Sequence, residues 1–178
     1  LRRAAEKIDG AVLQCYAFFV HKFSVGVLGA SGYAGRELCM LVARHPHMQL
    51  CFATANAQQG QSARIGGRDI TFIASEDAPL SQTSLIFSAL PHGASLEWVE
   101  RARDAGAKVV DLSSDLRPGN NGHLDGVDHV PYGLTEMYRE SVRGASVVAN
   151  PGCYPTAILL AVAPLVDQGL LEPGSTIS

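Results

Sequence analysis

With 178 residues, 47% of them apolar and 17% charged, the chain can enclose one sizeable core, which excludes a disordered or fibrous protein. The formal net charge of −3 comes without a basic cluster, which argues against nucleic acid as a partner. Cys15, Cys39, Cys51 and Cys153 show neither C-x-x-C spacing nor a metal pattern. No metal is therefore expected, and reduced cysteines point to a cytoplasmic protein.

Residues 1–22 stand apart. A charged start, Leu1 to Lys7, precedes an apolar run from Ala11 to Val20 that is too short to span a membrane. No small-residue cleavage site follows it, so the segment reads as an N-terminal extension rather than a signal peptide.

Phe23–Leu28 predicts a strand, and Gly29-Ala30-Ser31-Gly32-Tyr33-Ala34-Gly35 follows at once. The helix expected after it, to Arg44, would put Ala34, Leu38, Leu41 and Val42 on one face. Strand, glycine turn and helix in this order make a G-x-x-G-x-x-G variant of the dinucleotide fingerprint. In that reading Gly29 permits the turn, Gly32 the approach of pyrophosphate and Gly35 close helix–sheet packing, with Ser31 and Tyr33 in the same cofactor-binding loop. Met48–Ala53 predicts the second strand. Its end carries Thr54 and Asn56 where an NAD site would place an acid, and no acid precedes Asp69. The missing repulsion favours NADP(H), with Thr54 and Asn56 as donors to a 2′-phosphate and Arg64 as the nearest downstream cation.

Ile70–Ile73 predicts a weak strand and Ser84–Leu90 a strong one, ending in Pro91-His92-Gly93. A helix is expected from Ala94 to Asp104, then a strand over Lys108–Leu112. Alternating strands and helices predict an α/β, Rossmann-type doubly wound parallel sheet. Its strand ends bring Gly29–Gly35, Leu90–Gly93 and Ser113–Arg117 round one crevice. Leu90 and Pro91 are cofactor candidates. His92 touches the nicotinamide or ribose, or merely caps and packs. Residues 113–131 lack periodicity, and a loop of that length in a compact domain is usually functional. Within it Arg117 is either an anion clamp or the ion-pair partner of Asp115 or Asp111. Ser113 and, after the last strand, Asn150 are candidates for substrate contact.

Ser146–Ala149 predicts a short buried strand, and Ala157–Ala163 a helix running to Pro164. Cys153 falls at the turn between them, with Pro155 suited to the first helical position. Unpaired N–H groups and the positive dipole end favour a thiolate there and can hold an oxyanion. Cys153 is the expected nucleophile. Cys39 and Cys51 are expected packing residues.

Five segments occur in order: Gly29–Gly35, Ala89–Gly93, Ser113–Arg117, Pro131–Glu136 and Asn150–Thr156. Together they resemble the N-acetyl-γ-glutamyl-phosphate reductases, relatives of aspartate-semialdehyde dehydrogenase, from Phe23 to Ser178. The resemblance implies NADPH-dependent reduction of a small-molecule acyl phosphate to an aldehyde in arginine biosynthesis. Cys153 would attack the acyl carbon, phosphate would depart, and hydride would reach the thioester. It further implies a homo-oligomer, and neither membrane nor nucleic acid as partner. The family's acid/base histidine lies in a second domain beyond the cysteine helix, whereas the last histidine here is His129. The chain is thus expected to be a fragment: extension 1–22, cofactor domain 23–151, and nucleophile helix plus first strand of an α+β catalytic domain over 152–178. Two other readings stand beside this one. One is a semialdehyde dehydrogenase for another acyl phosphate; the other is a non-catalytic NADP-binding module.

Overall fold

The computed structural model describes residues 22–171 and Gly174. The extension over 1–21 and the strand expected near 175–178 lie outside the described residues. Among the described residues seven strands form: β1 (Phe23–Leu28), β2 (Met48–Ala53), β3 (Ser62–Ile65), β4 (Arg68–Thr71), β5 (Leu85–Ser88), β6 (Lys108–Asp111) and β7 (Val147–Ala149). Four helices accompany them: α1 (Tyr33–Arg44), α2 (Leu96–Asp104), α3 (Thr135–Val142) and α4 (Cys153–Asp167). A five-stranded sheet runs in the order β2-β1-β5-β6-β7, every neighbouring pair parallel. The expected Rossmann-type α/β sheet is what the chain builds.

Both faces of that sheet are covered, and alternation along each strand sorts the side chains between them. Leu28, Phe52 and Ile86 join Val99 and Ala102 of α2 in one buried cluster. Val27 and Ala53, their neighbours in sequence, join Cys39 of α1 in the other. Helices α1 and α2 therefore lie on opposite faces. The sheet is assembled outward from β1 in both directions, so the β1/β5 boundary is the switch point where open α/β sheets bind ligands.

Three elements depart from expectation. The buried stripe of α1 is Gly35, Cys39 and Val42, while Leu41 and Ala34 face solvent. The strand expected over 70–73 is half of an antiparallel hairpin, β3–β4, closed by Gly66 and Gly67, both at positive φ. Such a Gly-Gly pair supplies the two positive φ angles that a two-residue type I′ turn requires. Ile65 and Phe72 then close the α1 side of the core. Helix α4 begins at Cys153 itself, which moves Pro155 to its third position, and it continues through Pro164 to Asp167. Among the described residues no helix is long and apolar enough to cross a membrane.

Candidate active site

The sheet ladders run one residue past each strand and so fix where every loop begins. Ala89 N–H donates to Leu28 O (2.9 Å), Leu112 N–H to Ser88 O (2.9 Å) and Asn150 N–H to Asp111 O (2.7 Å). The glycine turn, the 89–93 loop, the 112–117 loop and the cysteine turn all leave the same carboxyl edge.

At the switch point the three glycines do different work. Gly29 stands at φ +75°, and a Cβ there would come within 2.6 Å of Ala89 O. A Cβ on Gly35 would collide with Gly29 O, so this glycine lets α1 sit against the turn. Gly32 has no such neighbour, the nearest atom being Gly29 O at 3.6 Å. It caps α1 without a side-chain bond, leaving the first-turn N–H groups for an anion. A cleft of about 410 Å³ opens here, lined by Gly29, Ser31, Gly32, Thr54, Leu90 and Pro91 among others. Open space beside Gly32, an uncapped helix end and a switch-point position together fit a dinucleotide pyrophosphate. A larger hollow of about 710 Å³ between β2 and β4 lies at the outer sheet edge and holds neither the glycine turn nor Cys153. It is not the site.

Thr54 is fully buried. Its Oγ1 accepts from Gly29 N–H (3.2 Å) and Ser75 Oγ (3.1 Å), while its carbonyl accepts from Ala30 N–H (2.7 Å). Thr54 thus ties the glycine turn to the end of β2 while also lining the cleft. Asn56 is exposed and spends its Oδ1 on Ser75 N–H (2.9 Å), which turns its amide nitrogen to other use. Arg64, exposed, pairs with Asp69 at 3.4 Å on the hairpin. Tyr33 is 100% exposed and does not line the cleft.

Beyond β6 the polar residues form a closed network. Asp111, fully buried, accepts from Ser95 Oγ (2.6 Å), Ser113 Oγ (2.6 Å) and Ser113 N–H (3.0 Å). Ser113 Oγ also accepts from Asp115 N–H (3.0 Å), and the Asp115 carboxylate accepts from Gly93 N–H (2.8 Å) and Ser95 N–H (3.3 Å). Ser113 is buried, and its hydroxyl, donating to Asp111 and accepting from Asp115, ties this loop to the end of β6. His92 is exposed; its Nδ1 accepts from Ser114 N–H (2.8 Å), leaving Nε2 to face outward.

Arg117 spends two of its guanidinium nitrogens on main-chain carbonyls rather than on an acid. It makes no ion pair with Asp111 or Asp115 among the described residues. Instead Nε donates to Asn150 O (2.8 Å) and Nη2 to Leu112 O (2.6 Å), bridging the ends of β6 and β7. Its Nη1 lies close under Gly152, 3.1 Å from where a Cβ would stand. Half-buried Asn150 keeps its own side chain on Pro151 O (3.0 Å).

Cys153 sits at the first position of α4, exposed, after an N-cap Gly152 that offers no side-chain bond. Thr156 closes the turn by donating from N–H (3.0 Å) and Oγ1 (2.8 Å) to Gly152 O. A thiol, an uncapped helix end and a guanidinium beneath the turn therefore meet at one point of the carboxyl edge. Cys39 differs: burial pushes its thiol up to about 11. Cys51, expected to pack, is exposed on the edge strand β2. No group of three or more His, Cys, Asp or Glu among the described residues is arranged to hold a metal.

A switch-point cleft floored by a glycine turn defines a nicotinamide-dinucleotide-binding domain. Residues 24–145 match the family described as "Semialdehyde dehydrogenase, NAD binding domain", and the chain belongs to that family. It is 37% identical over 161 residues to N-acetyl-gamma-glutamyl-phosphate reductase of Archaeoglobus fulgidus, covering 83% of this chain and 48% of the relative. The enzyme of that name from Magnetococcus marinus is 38% identical over 172 residues, 86% of this chain and 49% of the relative. The chain thus spans about half the length of these curated relatives. The crystal structure of aspartate semialdehyde dehydrogenase II complexed with ASA from Vibrio cholerae superposes with a TM-score of 0.68 at 24% identity, over 82% of this chain and 47% of that one. It has the same fold.

Proposed function

We propose that this chain is the cofactor-binding and nucleophile-bearing part of an NADPH-dependent N-acetyl-γ-glutamyl-phosphate reductase acting in the cytoplasm. The observation that carries the reading is the exposed Cys153 at an uncapped helix start, on the same sheet edge as the glycine-turn cleft. The names of the relatives supply the substrate class.

In this mechanism the Cys153 thiolate attacks the acyl carbon of the acyl phosphate, a mixed anhydride. The S–C bond forms, the C–O bond to phosphate breaks, and inorganic phosphate departs with the electron pair. First-turn N–H groups of α4 hold the negative charge that develops on the acyl oxygen. Arg117 keeps the Asn150–Gly152 turn in place and supplies positive charge beneath it. A nicotinamide cofactor held at the Gly29–Gly35 turn would supply hydride to the acyl carbon, after which the C–S bond breaks, aldehyde leaves and Cys153 regains its thiolate. NADP(H) is preferred because the rim beyond β2, Thr54 to Gln61, carries no acid to repel a 2′-phosphate.

The test is a product assay on protein extended past Ser178 to the length of the relatives. N-acetylglutamyl phosphate should be reduced with NADPH several-fold faster than with NADH, and aspartyl phosphate slowly. Faster turnover of aspartyl phosphate would assign the chain to the neighbouring semialdehyde dehydrogenases.

A further inference from the structure

The cleft at the β1/β5 boundary has a wall that the glycine fingerprint does not include. Trp98, the only tryptophan in the chain, borders it on α2 beside Leu90, Pro91 and Ala94. The indole is half-buried and packs partly against the core under α2. One turn further on, the Arg101 guanidinium carbon stands 4.0 Å from the ring centroid, a cation–π contact. Arg101 Nη2 in turn donates to Glu76 Oε2 at 2.9 Å. Glu76 belongs to the short turn Ser75–Asp77, and Ser75 is bonded to both Thr54 and Asn56. A Trp98–Arg101–Glu76 latch therefore joins α2 to the end of β2 across the outer end of the cleft. Arg101 covers one face of the indole without itself lining the cleft, whereas Trp98 does line it.

The order of strands decides which end of a dinucleotide lies there. Cys153 follows β7, and β6 separates β7 from β5, so a reacting nicotinamide must point across β5 toward β6 and β7. With the pyrophosphate at Gly32, the adenosine end falls on the β2 side, among Asn56, Ser75 and Trp98. We propose that Trp98 is the aromatic wall of the adenine subsite and that the Arg101–Glu76 latch holds its ring in stacking position. The inference rests on the dinucleotide reading above and adds to it a residue outside the fingerprint. Every base presents a π face, and stacking on an aromatic side chain strengthens binding by about ten-fold or more.

Because Trp98 is the sole tryptophan, the 178-residue chain reports on this directly. The ligands are NADP⁺, 2′,5′-ADP and nicotinamide mononucleotide, with calorimetry beside indole emission. NADP⁺ and 2′,5′-ADP should quench or shift the emission with the dissociation constant found by calorimetry, and the mononucleotide should leave it unchanged. Trp98→Leu should weaken 2′,5′-ADP about ten-fold, while Trp98→Phe, which keeps a stacking face, should stay within about three-fold. Calorimetric binding of NADP⁺ with unchanged emission, or equal affinity in Trp98→Leu, would overturn the assignment while the dinucleotide reading stood. Emission that responds to the mononucleotide and not to 2′,5′-ADP would place the wrong end of the cofactor at Trp98. Absence of binding by NADP⁺ and NAD⁺ alike would remove the dinucleotide reading and this assignment with it.

Discussion

Single side chains carry the chemistry here, and the sequence shows some of them far better than others. The placement of Cys153 at a helix start was legible because glycine and prolines bracket it between a β-branched strand and an apolar helix, all local signals. The bonding partners of Thr54 and Ser113 were not legible, because their hydroxyls meet groups distant in sequence or a buried carboxylate, which no local pattern reveals. Arg117 falls between these cases: a strand-end arginine was visible, but its acceptors are carbonyls, one of them 33 residues away. Two predictions belong at this scale. In folded protein near pH 7, iodoacetamide should modify Cys153 well ahead of buried Cys39, and ahead of Cys51, which is exposed but lies on a strand with no helix end beside it. Slower labelling of Cys153 than of Cys51 would remove the nucleophile assignment. Arg117→Lys should cost about 1–3 kcal/mol in chemical denaturation, since an ammonium cannot span both carbonyls and leaves one half-buried. The same variant should slow Cys153 alkylation, because the turn that presents the thiol loses its brace.

Among the elements, periodicity found the parallel strands to within a few residues and placed the glycine turn where the fold puts it. It failed on α1's buried stripe, because a glycine packed against the turn counts for nothing on a hydrophobic pattern. It failed on the hairpin because β3 and β4 are short and polar, stabilised chiefly by covering the α1 edge of the core. The glycine turn separates fold from function in one experiment. Gly35→Ala should destabilise by about 1–3 kcal/mol, since its methyl meets main-chain atoms that cannot yield. Gly32→Ala should leave the melting temperature nearly unchanged yet weaken NADP⁺ binding, its methyl pointing into space the pyrophosphate needs. Comparable destabilisation by both would mean that Gly32 is structural. On the same helix, Cys39 makes stability depend on alkaline pH. Its folded pKa of about 11 exceeds the usual 9.0. The unfolded chain therefore releases this proton first, and stability present below pH 9 is lost as pH rises towards 11. The loss should approach about 3 kcal/mol in denaturation at successive pH values, and Cys39→Ala should flatten that part of the profile.

At the scale of the whole molecule, α4 is the element out of balance. None of its residues is buried, although it is strongly apolar; Tyr154, Ile158 and Val166 are 80%, 57% and 55% exposed. A helix apolar all round is one that other structure should cover. The chain spans about half the length of the curated relatives it matches. Chemistry points the same way. Among the described residues no side chain hydrogen-bonds Cys153, and proton transfer by a positioned group typically contributes about 10²–10⁴ in rate. Substrate positioning by the walls of a closed site would be missing as well. The 178-residue chain alone should therefore bind NADP⁺, expose apolar surface to a dye such as ANS, and self-associate as its concentration rises. Ile158→Ser with Val166→Ser should reduce that association with little change in melting temperature, since neither side chain supports the core. Reductive dephosphorylation of N-acetylglutamyl phosphate by the chain alone should be negligible and should appear when it is extended to the relatives' length. Turnover by the 178 residues at the rate of the longer protein would mean that every group the reaction needs already stands on this sheet edge, and the division of labour inferred from α4 would be wrong.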